Sequence, residues 1–207
     1  MAKRAYENDY PSVTTILGVL RKIGLEIWFK YNTSKFCDEK SAKGKLIGTQ
    51  IHEAIQSYIE TGKASVSTEY DVEVTNALKS FMLFRKENPQ YILKRAELPL
   101  TSEQHKFNGT IDCIGENIMW DWKTGECKDK DKPNIYDEWK YQVSAYVYLY
   151  NEVNKTNIEL ANIVAIAKDK VSYNIYSMNK KEIDSCFNEV FLSCLKILTY
   201  QKESKNV

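Results

Sequence analysis

Two side chains of opposite charge, Asp121 and Lys123, stand two residues apart just after the apolar run Ile118-Met119-Trp120. Alternation along a strand puts residues i and i+2 on the same face, so the carboxylate and the ammonium share one. A pair of this kind can hold a divalent cation and orient a water molecule for attack. Asp112 falls on the neighbouring strand of a predicted hairpin and can bring a second carboxylate to the same place. Glu97, at the end of the strand before it, can bring a third. An oxygen-rich donor set with open water positions suits Mg²⁺ or Mn²⁺. At a phosphodiester such a site hydrolyses, because the cation lowers the pKa of bound water and neutralises phosphate charge. An Asp-x-Lys tripeptide alone is ordinarily a surface ion pair. The chain holds another at Asp38-Glu39-Lys40, and Glu-x-Lys at Glu126-Cys127-Lys128 and Glu138-Trp139-Lys140. Only Asp121 follows an apolar strand and has a carboxylate-bearing strand just upstream.

These residues need elements to position them. Pro11-Ser12-Val13-Thr14-Thr15 reads as a helix start capped by Ser12 or Thr14. A second amphipathic segment carries Ile27, Trp28 and Tyr31. The spacing of Ile47, Ile51, Ile55 and Ile59 predicts a helix over 45–61 that Gly62 ends. A fourth helix is predicted over 72–87, with Pro89 just beyond. The period then changes to that of strands over 91–100, 107–114 and 118–122, the last two joined by the turn Gly115-Glu116-Asn117. A charged loop over 128–133, a Tyr- and Trp-rich helix over 136–152, strands over 160–167 and 172–178, and a helix from Lys180 to Leu198 complete the order. That order predicts an α/β fold: one domain over 1–207, mainly helical over 1–90, with a central mixed β-sheet flanked by helices in 91–207.

The chain has 207 residues and a mass of 24.0 kDa, with 43% hydrophobic and 28% charged residues, which excludes wholesale disorder. No apolar run is long enough to span a bilayer, and Met1 to Tyr10 has no apolar signal core, so a cytoplasmic protein without a membrane partner is expected. The net charge of +1 neither demands nor excludes a nucleic-acid partner. Five cysteines, odd in number and without a Cys-x-x-Cys pair, argue against a disulfide framework or a zinc ribbon.

Taken in order, five elements resemble the PD-(D/E)XK nuclease superfamily in its RecB-like exonuclease branch. They are Gly48-Thr49-Gln50-Ile51-His52, Glu97, Gly109-Thr110-Ile111-Asp112, Asp121-Trp122-Lys123-Thr124-Gly125 and Gln142-Val143-Ser144-Ala145-Tyr146. Pro11 to Leu17 also resembles the start of phage-encoded members. The resemblance implies a restriction-endonuclease-like core and a metal-dependent DNA exonuclease using one or two Mg²⁺ or Mn²⁺ ions. It implies Asp112 and Asp121 as principal ligands, with Glu97, His52 and the Trp122 main-chain carbonyl as further ones. Lys123 would orient the attacking water, and Gln142 and Tyr146, at i and i+4 on a helix, would border the site. Some relatives carry an iron–sulfur cluster on one early and three late cysteines. Cys186 and Cys194 leave no tight late triplet to go with Cys37, so no cluster is expected.

The implied partner is DNA, at single- or double-stranded ends. No Walker A loop is present, so a helicase, like a recombinase or annealing protein, would be a separate chain. Lys30, Lys35, Lys40, Lys43 and Lys45 can line a strand-binding groove or form a solvated helix surface. Ser12, Thr14 and Thr15 can hold a phosphate or simply cap a helix. Tyr136, Trp139, Tyr141, Tyr148 and Tyr150 can stack on bases or fill the core. His105 reads as a solvated turn residue, and Glu103 competes with Glu97 for the third carboxylate. The alternatives are an endonuclease with the same site, or a non-catalytic DNA-binding or assembly module on a nuclease fold.

Overall fold

The structure, a computed structural model, describes residues 6–64 and 71–204. Of the polar stretch from Met1 to Tyr10, the first five residues lie outside that description, as do 65–70 and 205–207. Four helices come first: α1 (Val13–Leu17), α2 (Ile23–Tyr31), α3 (Ser34–Thr61) and α4 (Val72–Glu87). Then follow β1 (Leu93–Ser102), β2 (Phe107–Gly115), β3 (Ile118–Gly125), α5 (Asp137–Asn154), β4 (Leu160–Ala167) and β5 (Tyr173–Met178). The chain finishes with α6 (Lys180–Ser185), a π-helical turn (Cys186–Phe191) and α7 (Leu192–Glu203).

The five strands lie in the order β1-β2-β3-β4-β5. Neighbours are antiparallel except β3 and β4, which run parallel from Ile118↔Leu160 to Gly125↔Ala167. A parallel pair needs a crossover, and α5 supplies it. The sheet is therefore mixed, as expected, with helices on both faces. On one face α1, α5 and the C-terminal helices cover Phe107, Ile111, Met119 and Ile163. On the other α3 and α4 cover Trp120, Trp122, Val164 and Ile166. Alternation along β3 and β4 sorts these side chains between the layers. The almost unbroken apolar run of β4 is that of a strand covered on both sides.

Three elements differ from expectation. α3 begins at Ser34, eleven residues before Lys45, with the Thr33 side chain accepting from Phe36 N–H. The added turns are charged and mostly exposed, so no apolar stripe announces them. The last helix is interrupted by its π turn, which buries Phe187 and Phe191 together. His105 lies in a turn as expected but is half-buried, its ring edge-on to Phe187 at 5.4 Å.

Candidate active site

Pairing brings two carboxylates together across β1 and β2. In the β1–β2 register Ala96 faces Cys113 and Leu98 faces Ile111, which sets Glu97 opposite Asp112. β2 and β3 pair at Ile114↔Met119 and Cys113↔Trp120. Beyond Cys113 the ladder does not continue to Asp112; instead the Asp112 carboxylate itself accepts the Trp122 N–H at 2.9 Å. The pleat breaks at the same point: Ile111 packs with the α5 layer, whereas Cys113, two residues on, packs with the α3 layer. Glu97 has a left-handed backbone, φ 51°, which costs a non-glycine residue about 1–2 kcal/mol.

α3 lays Ile47, Ile51, Ala54 and Ile55 on the sheet and presents Lys45, Gly48, Thr49 and His52 along an adjoining face. The two ring nitrogens of His52 are both engaged. Nδ1 lies 3.2 Å from Glu97 Oε1 and 3.7 Å from Asp112 Oδ1, and Nε2 lies 3.1 Å from the Trp122 carbonyl oxygen. Partial burial works against a charged ring, but Asp112 and the hydrogen bond to Glu97 outweigh it and push His52 up to about 9. The imidazolium then donates from both nitrogens, which suits a carboxylate on one side and a carbonyl on the other.

Asp121 is fully buried, with Lys123 Nζ at 2.8 Å and 3.0 Å from its two oxygens. The alternation read from the sequence thus places this pair on one face. Burial pushes the Asp121 carboxyl up, with the Lys123 ammonium pulling the other way. For Lys123 burial is again unfavourable, but the Asp121 and Asp112 carboxylates outweigh it and keep the ammonium charged.

α5 brings Tyr146 over β2, and Gln142 Nε2 donates to its hydroxyl at 2.8 Å. Burial first, and then the Asp112 and Asp121 carboxylates, hold the phenol well above its usual pKa, so it keeps its proton. The fit depends on Gly109: a Cβ there would lie 2.8 Å from Leu149 Cδ2 and 3.0 Å from Tyr146 Cε1. The Gly in Gly109-Thr110-Ile111-Asp112 is a packing requirement of α5 against β2.

A cleft of about 520 Å³ opens over this group. Of the residues singled out from sequence, Ser12, Thr14, Lys45, His52, Glu97, Asp112 and Tyr146 line it. Asp121 and Lys123 do not line it; they form an ion pair within electrostatic reach of Asp112, which does, and Gln142 bonds the Tyr146 hydroxyl. Trp122 offers only its carbonyl, since its ring packs on Phe81 and Phe84. Thr15 bonds the Ser12 hydroxyl, and Ser12 caps the five-residue α1. Lys43 is turned to Asp71 and Glu73. Glu103 pairs with Lys106. Tyr6, Thr49 and Thr110 also line the cleft, with Tyr6 Oη 2.8 Å from Thr110 Oγ1. Thr49 is legible as the residue one turn before His52 on the same helix face. Tyr6 carries no sequence signal, because contacts remote in sequence place it.

His52, Glu97 and Asp112 offer one nitrogen and two carboxylate oxygens within 4.8 Å of one another. Asp121 lies within electrostatic reach of Asp112, and the Trp122 carbonyl adjoins His52. A mainly oxygen donor set of this kind fits Mg²⁺ or Mn²⁺. The five cysteines are free and buried, and none lies in the group. No helix among the described residues is long and apolar enough to cross a membrane.

The chain matches no protein-family model and no curated protein by sequence. Among solved structures it is similar to one described as SSO0001, at 15% identity over 82% of this chain and 88% of that one, with a TM-score of 0.37. It is also similar to a phage-related exonuclease from Haemophilus somnus 129PT, at 12% identity over 77% and 83%, with a TM-score of 0.41. A third is the alkaline exonuclease LHK-Exo from Laribacter hongkongensis, at 12% identity over 77% and 86%, with a TM-score of 0.34.

Proposed function

We propose that the cleft is the active site of a metal-dependent deoxyribonuclease, a RecB-like exonuclease that hydrolyses phosphodiester bonds at DNA ends. One observation carries the reading: the His52, Glu97 and Asp112 cluster, whose Asp112 carboxylate accepts the N–H of Trp122, the residue between the paired Asp121 and Lys123. Asp112 and Asp121, with Glu97, His52 and the Trp122 carbonyl, would hold Mg²⁺ or Mn²⁺, whose charge would stabilise the phosphate as it is attacked.

The chain's own groups do the rest. Held by Asp121 and charged, Lys123 donates hydrogen bonds to the attacking water and to the oxygen on which charge develops. Tyr146 accepts from Gln142 and keeps its own proton to donate to a phosphate oxygen. Lys45, Ser12 and Thr14, on the cleft wall, hold the flanking backbone by charge and hydrogen bonds. Glu97 and Asp112 hold the imidazolium of His52, and as a metal ligand His52 would have to be neutral. In this reading the chain is one nuclease domain acting on cytoplasmic DNA, in phage or mobile-element processing, with any helicase, recombinase or annealing protein as a separate partner.

End-labelled linear single- and double-stranded DNA, incubated with Mg²⁺, Mn²⁺ or EDTA, tests it. Metal-dependent release of nucleotides or short oligonucleotides, lost in Lys123→Ala, is the expected result. Cutting of a covalently closed circle would make the enzyme an endonuclease. Folded protein that cuts nothing and binds no Mn²⁺ would leave a DNA-binding or assembly module.

A further inference from the structure

Helix α2 takes no part in the cleft or in either apolar layer. None of its nine residues is buried. Ile23, Leu25, Ile27, Phe29 and Tyr31 are exposed, Tyr31 to 76%, so apolar side chains meet water around most of its circumference. A helix apolar on all sides is ordinarily an interior one, and a contiguous apolar surface marks a binding site. Trp28 leans on Phe36 of α3, the rings 6.2 Å apart, which carries the exposed surface onto α3.

Charge selects the occupant. Residues 21–45 hold seven Lys and Arg against three Asp and Glu. Arg21, Lys22 and Lys43 are neutralised by carboxylates. Among the described residues, Lys30, Lys35, Lys40 and Lys45 have no carboxylate within ion-pair distance. Two of these cations sit beside rings: Lys30 Nζ is 5.8 Å from the Tyr31 centroid and Lys40 Nζ 5.9 Å from that of Phe36. A second copy of the chain would set these cations against their own kind. An unpaired nucleic-acid strand complements them, since its bases take the rings and its phosphates the ammoniums. Duplex bases are already stacked and cannot. Position agrees: α2 links α1, whose Thr14 lines the cleft, to α3, whose Lys45 lines it too.

We propose that α2 and the start of α3 form a docking surface for single-stranded nucleic acid, with bases on Phe29, Tyr31 and Phe36 and phosphates on Lys30, Lys35 and Lys40. This deepens the nuclease reading, on which it rests, by naming the unpaired strand as the substrate class.

The test is fluorescence anisotropy of a labelled oligo(dT) of roughly 16 nucleotides, in EDTA so that nothing is cut. Phe29→Ala/Tyr31→Ala weakens binding about tenfold or more and leaves binding of a duplex of equal length as it was. Lys30→Gln/Lys35→Gln lowers the slope of log affinity against log salt by about 1.4. Both pairs are solvent-facing, and unchanged melting curves confirm the fold. Three results overturn the proposal: unchanged oligo(dT) affinity in the ring variant, a wild-type dimer that the ring variant alone dissolves, or capture by phosphatidylserine vesicles without oligo(dT) binding. Catalysis does not enter this readout. An inactive wild type that still binds through α2 refutes only the nuclease reading, and an active enzyme indifferent to α2 refutes only this surface.

Discussion

Glu97 and Asp112 face each other across the β1–β2 ladder, and of the two it is Glu97 that takes a left-handed backbone, at φ 51°. The expected consequence inverts the usual order of substitutions. Glycine weakens a strand interior relative to alanine, but at positive φ it is the favoured residue. Glu97→Gly should therefore be more stable than Glu97→Ala, by about 1 kcal/mol, in urea unfolding. Both should bind Mn²⁺ at least about tenfold more weakly in calorimetry, as expected on losing a ligand.

Lys123 and Asp121 separate activity from stability. Removing one member of a buried pair strands the other, so Lys123→Ala should lose about 3 kcal/mol together with cleavage. Asp121→Asn/Lys123→Met leaves no charge stranded. It should recover most of that stability and remain without activity, which denaturant melts beside the nuclease assay would show.

Gly109 sets the distance between β2 and α5. In Gly109→Ala the new methyl meets Leu149 and Tyr146, so overpacking of about 1–3 kcal/mol is expected. Leu149→Ala in the same chain should restore part of it. A Gly109→Ala protein as stable as wild type would contradict the packing described.

Acid should loosen the joint between α3, α4 and the end of β4. The hydrogen bond from Lys168, then that from Lys43, hold the Glu73 carboxyl below its usual range. Its folded pKa lies under its unfolded one, so the stabilisation is present above about pH 4.5 and fades as pH falls below it. Glu73→Gln should cost about 1 kcal/mol at pH 7 and progressively less at lower pH, read from urea midpoints.

Where local pattern decides the outcome, the sequence is readable. Period two along Ile118 to Lys123 put Asp121 and Lys123 on one face, and the hairpin turn at Gly115 fixed which strands are neighbours. Contrary to expectation, Glu97 does not end its strand but lies in the middle of β1, bracketed by pairs that set it opposite Asp112, whereas Glu103 sits in a turn and pairs with Lys106 three residues on. Long-range contacts are not legible in this way. Tyr6 reaches Thr110 from 104 positions away in the sequence, and Lys43 reads as a phosphate contact until α4 brings Asp71 and Glu73 to it. The first third of α3 has no apolar stripe because, of its residues, only Cys37 is buried, and His105 reads as a solvated turn residue until Phe187 is brought against its ring.

The meander from Leu93 to Gly125 is one uninterrupted stretch, and it sets an order of assembly. Glu97, Asp112, Asp121 and Lys123 come together through short turns, whereas His52 and Tyr146 arrive from distant helices and must wait for larger loops to close. The nascent centre is thus an anionic patch, with three carboxylates and one ammonium, before its imidazolium and phenol are in place. A divalent ion bound to that patch would stand in for the missing positive charge. Refolding in Mn²⁺ is accordingly expected to be faster than in EDTA, and stopped-flow fluorescence of the buried Trp120 and Trp122 would follow it.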